Sequence, residues 1–318
     1  IAGNQLASET RSQRASDKSQ NRQTIREFAD QLYESPLIAN LNYEAKGRIA
    51  SFFRALLHGV GAVYRTVTFS RNVFGRNTSG PSYIPAETFA TSLIDRLQLK
   101  DFQRLLTRSR FQDFLQNEIN IPLHNTVSEL RAQLHNEALL AAEMIYFEQA
   151  IEQVSIDLEA RRTSLEMALT QVISQLQSFE NMAADAPLLD LGADPQQVQS
   201  FLNRIRYLRT GISGSEAENA ALLSRLQPSL SDLTELLDPN SATYAELVDL
   251  AQREGAAVRA SLEQLNQKVI PPQLRESLST LAVRAEARTQ AVGSELQQLQ
   301  TEIESWFNNG MERASGVY

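Results

Sequence analysis

PLHNTVSELRAQLHNEALLAAEMIYFEQAIEQVSIDLEARRTSLEMALTQVISQLQSFENMAADAP, running from Pro122 to Pro187, decides the fold class, because neither glycine nor proline occurs between its two terminal prolines. Without those breakers nothing interrupts an i→i−4 hydrogen-bond ladder, and each helical residue adds about 1.5 Å of length. Val127, Leu130, Leu134, Ala141, Ile151, Val154, Leu158, Leu165, Leu169, Val172, Leu176 and Phe179 keep largely to spacings of three and four. Apolar side chains at that period share one stripe, so the segment predicts a very long helix with a coiled-coil-like seam. The stripe is imperfect near Met144 to Glu148 and at Arg161-Arg162, where a register shift or a contact with another helix would enter.

Outward from this segment the same alphabet continues. Of 318 residues 42% are hydrophobic but only 7% aromatic, a helix-favouring composition. Towards the N-terminus, residues 1–24 are too polar to bury a face. Ile25, Phe28, Ala29, Leu32 and Tyr33 then predict a short helix that Ser35-Pro36 ends. Pro85 suits the first position of a helix carrying Phe89, Leu93 and Leu97, and short elements follow up to Pro122. Towards the C-terminus, Asp194-Pro195 opens a helix that stops at Gly211, and Ser215 with Glu218 opens one ending before Asp238-Pro239. Ser241 opens another that runs to Val269. After Pro271-Pro272 a last long helix begins at Gln273, with Leu274, Leu278, Leu281, Val292, Leu296, Leu299, Ile303 and Trp306 on its face. The expected fold is all-α, an elongated antiparallel helical bundle with coiled-coil-like long helices. Its expected divisions are a polar segment at 1–24, a basic helical region at 25–121 and an acidic long-helix arm at 122–318.

Charge divides the chain sharply. Residues 1–110 hold 16 basic against 9 acidic side chains, +7, and residues 111–318 hold 14 against 29, −15, which together give the net −8. The most basic stretch lies between Glu44 and Arg76. Arg48, Ile49, Phe52, Phe53, Arg54 and Leu57 make an amphipathic helix pattern there, with Arg65 and Arg71 beyond it. Such a face lies well at an anionic bilayer surface, where each basic residue adds on the order of 1 kcal/mol. It equally suits packing on the long helices, with its arginines meeting the chain's own acidic part. Nucleic acid is not expected as a partner, given the acidic balance and the lack of an RNA-binding motif.

Catalytic chemistry finds no foothold in the sequence. There is no cysteine, which removes disulfides, thiolate nucleophiles and thiolate metal ligands. The three histidines, His58, His124 and His135, lack the Glu three residues before them that a di-iron bundle requires, and none sits in H-E-x-x-H. Phosphate-binding glycine loops and a G-x-S-x-G elbow are missing. Glu148 and Glu152 share a helix face, which on an acidic helix usually means a solvated surface. The expectation is therefore a non-enzyme with no cofactor, no metal and no small-molecule substrate. No segment reaches the roughly 20 apolar residues that span a bilayer. The start at Ile1, without Met or a signal-peptide pattern, predicts a fragment or processed form.

Two stretches resemble a bacterial family of membrane-anchored proteins of unassigned activity. One comprises Tyr33-Glu34-Ser35-Pro36-Leu37-Ile38 and, after an interval, Pro81-Ser82-Tyr83-Ile84-Pro85-Ala86-Glu87-Thr88-Phe89-Ala90; the other runs from Glu304-Ser305-Trp306-Phe307 through Met311 and Arg313 to Tyr318. In such proteins, as the resemblance implies, membrane segments precede the first motif and follow the second. This chain would then lie on the cytoplasmic face of a bacterial inner or thylakoid membrane, with membrane adjacent to both ends. The sequence departs from the family at Glu87, where relatives carry a basic residue, and at 42–77, which resembles an insertion. Any role of the basic segment would thus be peculiar to this chain. The implied function is a scaffold or adaptor that binds protein partners or itself. Direct membrane binding or shaping by the basic helix is one alternative. An accessory or linker role in a larger membrane complex is another, photosynthetic if the source is cyanobacterial, as four Lys against 26 Arg suggests.

Overall fold

The computed structural model describes residues 23–24, 27–32, 85–212, 214, 216–254, 256–266, 270–289 and 294–315. Among them every regular element is helical and the fold is all-α. By contact the chain forms two compact units: Gln103–Pro228, contiguous in sequence, and a discontinuous unit made of Ile1–Phe102 with Ser229–Tyr318.

The contiguous unit contains the whole segment that was expected to be one helix, and the chain there folds back on itself instead. Helix α1 (Ala86–Arg96) belongs to the other unit; α2 (Leu99–Phe114) leads into the contiguous one. A π-helical turn, Leu115–Asn120, joins α2 to α3 (Ile121–Leu134) without a break, all junction residues staying in the right-handed region. The sequence placed a boundary at Pro122, whose ring opposes the carbonyl four residues back and whose nitrogen has no hydrogen to donate. The wide turn absorbs it: Ile121 N–H donates to Gln116 O, five residues back. Thr126 Oγ1 donates to the Pro122 carbonyl at 2.8 Å.

The real breaks occur where no glycine or proline stands. α3 ends at His135, α4 spans Ala141–Glu159 and α5 spans Leu165–Asp185. His135, Leu140 and Arg161 all take left-handed backbone, with φ of 52°, 54° and 58°. At the second reversal Arg162 N–H donates to Asp157 O at 2.8 Å and Arg161 N–H to Leu158 O at 3.1 Å, the paired bonds that close a helix C-terminus. Arg162 Nη1 also reaches Asp157 Oδ1 at 3.0 Å. Ser164 Oγ then accepts from Met167 N–H and starts α5.

The stripe read from the sequence is indeed the buried face. Ile151 and Val154 of α4, and Leu169, Val172, Leu176 and Phe179 of α5, are all buried in one core with Val127 and Leu130 of α3. Phe147 meets Phe179 edge-on, with centroids 5.7 Å apart. α6 (Pro195–Ile212) packs on α3 and α5, capped by Asp194 Oδ1 accepting from Gln196 N–H. α7 (Glu216–Leu226) completes the unit.

In the discontinuous unit the sequence again overestimated helix length. The helix expected up to Asp238 stops at Leu226, and Ser229 with Asp232 forms a reciprocal capping box that opens α8 (Leu230–Glu235). Pro228 is the reason, since it cannot donate and biases Gln227 away from helix. The stretch from Ser241 to Val269 holds α9 (Ala242–Glu254) and α10 (Ala256–Asn266), packed on each other. The expected last long helix is two, α11 (Pro272–Arg288) and α12 (Glu295–Ser315), lying side by side. Thr289 leaves the helical region at ψ 123°, and its Oγ1 donates to Ala285 O at 2.8 Å. Glu286 accepts from both Ser231 N–H and Ser231 Oγ, tying α11 to the start of α8.

Replacing Arg161 distinguishes a hairpin from a single long helix by sign. In the observed turn Arg161→Gly relieves a left-handed residue and should raise unfolding free energy by about 1 kcal/mol, whereas within a continuous helix the same change would lower it by about 1 kcal/mol. Urea denaturation followed by circular dichroism measures the difference.

Candidate functional site

Of the two motif stretches, the described parts Pro85–Ala90 and Glu304–Ser315 meet in the discontinuous unit. Pro85 precedes α1, and its carbonyl accepts from Phe89 N–H at 3.2 Å. One turn in, Phe89 is fully buried and stacks on Phe307 of α12, with centroids 4.2 Å apart and planes 18° from parallel. Leu299, Ile303 and Phe307, four residues apart, form the buried face of α12. Gln300 Nε2 donates to Thr91 Oγ1 at 3.3 Å, which fixes the register between the two helices. Met311 is half-buried further along α12; Arg313 lies in its last turn.

Trp306 was expected on the apolar face of α12. It is half-buried beside Phe307 and lines a cleft of about 180 Å³ between α11 and α12. Leu281 and Arg284 come from α11; Glu302, Ser305, Asn309 and Gly310 come from α12. Glu302 has only 6% of its side chain exposed and pairs with Arg288. Neither Arg284 nor Glu302 was singled out in the sequence, because nothing in the pattern foretells that α11 and α12 run side by side.

The remaining candidates divide plainly. Arg48, Ile49, Phe52, Phe53, Arg54, Leu57, Arg65, Arg71, Pro81, Tyr83, Ile84 and His58 lie outside the described residues. His124 Nε2 is 2.7 Å from Glu148 Oε1, with both side chains about half exposed, and His135 stands in the turn after α3. Glu148 and Glu152 line a shallow groove of about 360 Å³ with Asp113. Among the described residues no group of three or more His, Cys, Asp or Glu is arranged to hold a metal ion.

The contiguous unit has one further surface that the sequence did not reveal. A groove of about 790 Å³ between α3 and α6 is lined by Pro122, Gln199, Asn203, Arg204, Tyr207 and Leu208, among others. Its one charged side chain, Arg204, pairs with Glu129. Tyr207, 77% exposed, is the most open large apolar side chain among the described residues. An amide-lined, charge-matched groove with an aromatic ring is suited to another helix or peptide rather than to proton transfer. No helix among the described residues is long and apolar enough to cross a membrane. No family model, curated protein or solved structure matches the chain.

Proposed function

We propose that this chain is the helical part of a membrane-tethered scaffold or adaptor that binds protein partners at the cytoplasmic face of a bacterial membrane. The observation that carries the reading is the stack of Phe89 on Phe307. α1 and α12, which carry parts of the two family-like motifs, pack on each other, an arrangement that suits a chain whose two ends approach one bilayer. The groove beside Tyr207 supports the adaptor role, since it offers an amide-lined, charge-matched surface with an exposed aromatic ring. No catalytic step is part of the reading.

A second reading is favoured by the charge pattern alone: direct membrane binding through the basic amphipathic stretch Ile49 to Val60. The two make different demands. Tethering expects the full-length protein in the membrane fraction of its own cells, resistant to high-salt washing; recovery in the supernatant would end it. Peripheral binding expects flotation with anionic vesicles that salt reverses and that Phe52→Ser with Phe53→Ser reduces at least tenfold. Unchanged flotation of that double variant would remove the segment from lipid contact.

A further inference from the structure

Along the α11–α12 cleft two arginines of α11 stand opposite one buried carboxylate of α12, Glu302. Arg284 and Arg288 are one turn apart on α11, so both point toward α12. Arg288 pairs with Glu302 and matches that buried carboxylate. Glu286, between them in sequence, is committed to Ser231 N–H and Ser231 Oγ at the start of α8. Glu304 accepts from Gln300 Nε2 at 3.0 Å. Arg284 has no carboxylate partner among the described residues, although it lines the cleft.

Around that positive charge the cleft gathers further donors. Ser305 and Asn309, one turn apart on α12, line it from the opposite side, and both are open to solvent, as Arg284 is. A ligand therefore reaches them without displacing a protein contact. The half-buried Trp306 ring supplies an apolar wall next to these donors, and Gly310 adds no side chain to fill the space. A planar guanidinium, a hydroxyl and an amide line the same cleft of about 180 Å³, in which the Glu302 carboxylate is engaged by Arg288, and suit a tetrahedral oxyanion carried on a less polar group. A cation would meet the charge of Arg284, and an uncharged apolar ligand would strand its donors.

We infer that the Arg284–Trp306 cleft binds a phosphate group, either of a lipid headgroup or of a small soluble phosphate. This goes beyond the scaffold reading and does not depend on it, since soluble phosphate needs no membrane.

Trp306 is the only tryptophan of the chain, so its emission reports on this cleft alone. The full chain is titrated at constant ionic strength with inorganic phosphate against chloride, and separately with phosphatidylglycerol and phosphatidylcholine vesicles. The expected result is a saturable emission change whose half-saturation point rises about tenfold or more in Arg284→Gln, as loss of a charged hydrogen bond requires. Arg253→Gln, which removes an exposed pair with Asp249 on another helix, should leave it unchanged. A response to inorganic phosphate alone assigns a soluble ligand, and one to phosphatidylglycerol vesicles that Arg284→Gln abolishes assigns a lipid phosphate. No saturable change with any probe, or equal responses from the parent chain and Arg284→Gln, overturns the proposal. Arg284 is exposed, so the variant should fold; its melting curve, compared with that of Arg253→Gln, checks this.

Discussion

The contact of Phe147 with Phe179, centroids 5.7 Å apart, fixes the contiguous unit. Along one uninterrupted helix the two rings would stand roughly 50 Å apart. Their meeting requires the chain to reverse between Ala160 and Ser164, and the reversal in turn requires Arg161 to hold a left-handed backbone. That conformation costs about 1–2 kcal/mol for a residue with a side chain. Removing a fully buried Phe costs about 3–5 kcal/mol. The core gained by closing α4 onto α5 therefore outweighs the strain of the turn several times over, once Ile151, Val154, Leu169, Val172 and Leu176 are counted with the two rings.

That balance explains what the sequence makes legible. The period of three and four correctly marks Val127, Leu130, Ile151, Val154, Leu169, Val172, Leu176 and Phe179 as buried, because burial depends on which face a residue occupies. It does not say whether the facing partner is another chain, another helix or the same stripe folded back. Helix ends that use ordinary residues in left-handed turns, His135, Leu140 and Arg161, leave no Gly or Pro to read. The imperfect stretch at Arg161-Arg162 was the signal, since two arginines interrupt the stripe where the chain turns to solvent. Conversely Pro122, a strong breaker on paper, is carried inside a continuous helix by one π-helical turn. The candidate site was half legible: Phe89 and Phe307 stood out as parts of motifs, but the charges beside them depend on α11 folding against α12.

In each unit one buried carboxylate is met by arginine from the neighbouring helix. Glu180 of α5, 8% exposed, accepts from Arg206 of α6 at 2.8 and 3.0 Å, with Arg209 Nε 3.3 Å from its other oxygen. Glu302 of α12 meets Arg288 of α11 in the same manner. Such pairs add little net stability against an apolar alternative, yet breaking one strands a charge, so they select one helix register over its neighbours. Arg284, by contrast, has no carboxylate partner among the described residues.

The two units differ in how they close. Gln103–Pro228 is contiguous and is built largely from helices adjacent in sequence, the kind of contact that forms early and costs little chain entropy. The other unit depends on residues as distant as Phe89 and Phe307, so α1 and α12 can stack only when the whole intervening chain has been accommodated. The cost of such closure rises slowly with loop length, by about 0.6 kcal/mol per doubling, so the aromatic stack needs the rest of the α1–α12 contact beside it. Because Trp306 stands next to Phe307 in the same turn, whatever occupies the cleft acts on the helix that seals this unit. An anion held by Arg284 would bridge α11 to α12 beside that seal. Binding there and the integrity of the α1–α12 contact would then be thermodynamically linked, each favouring the other.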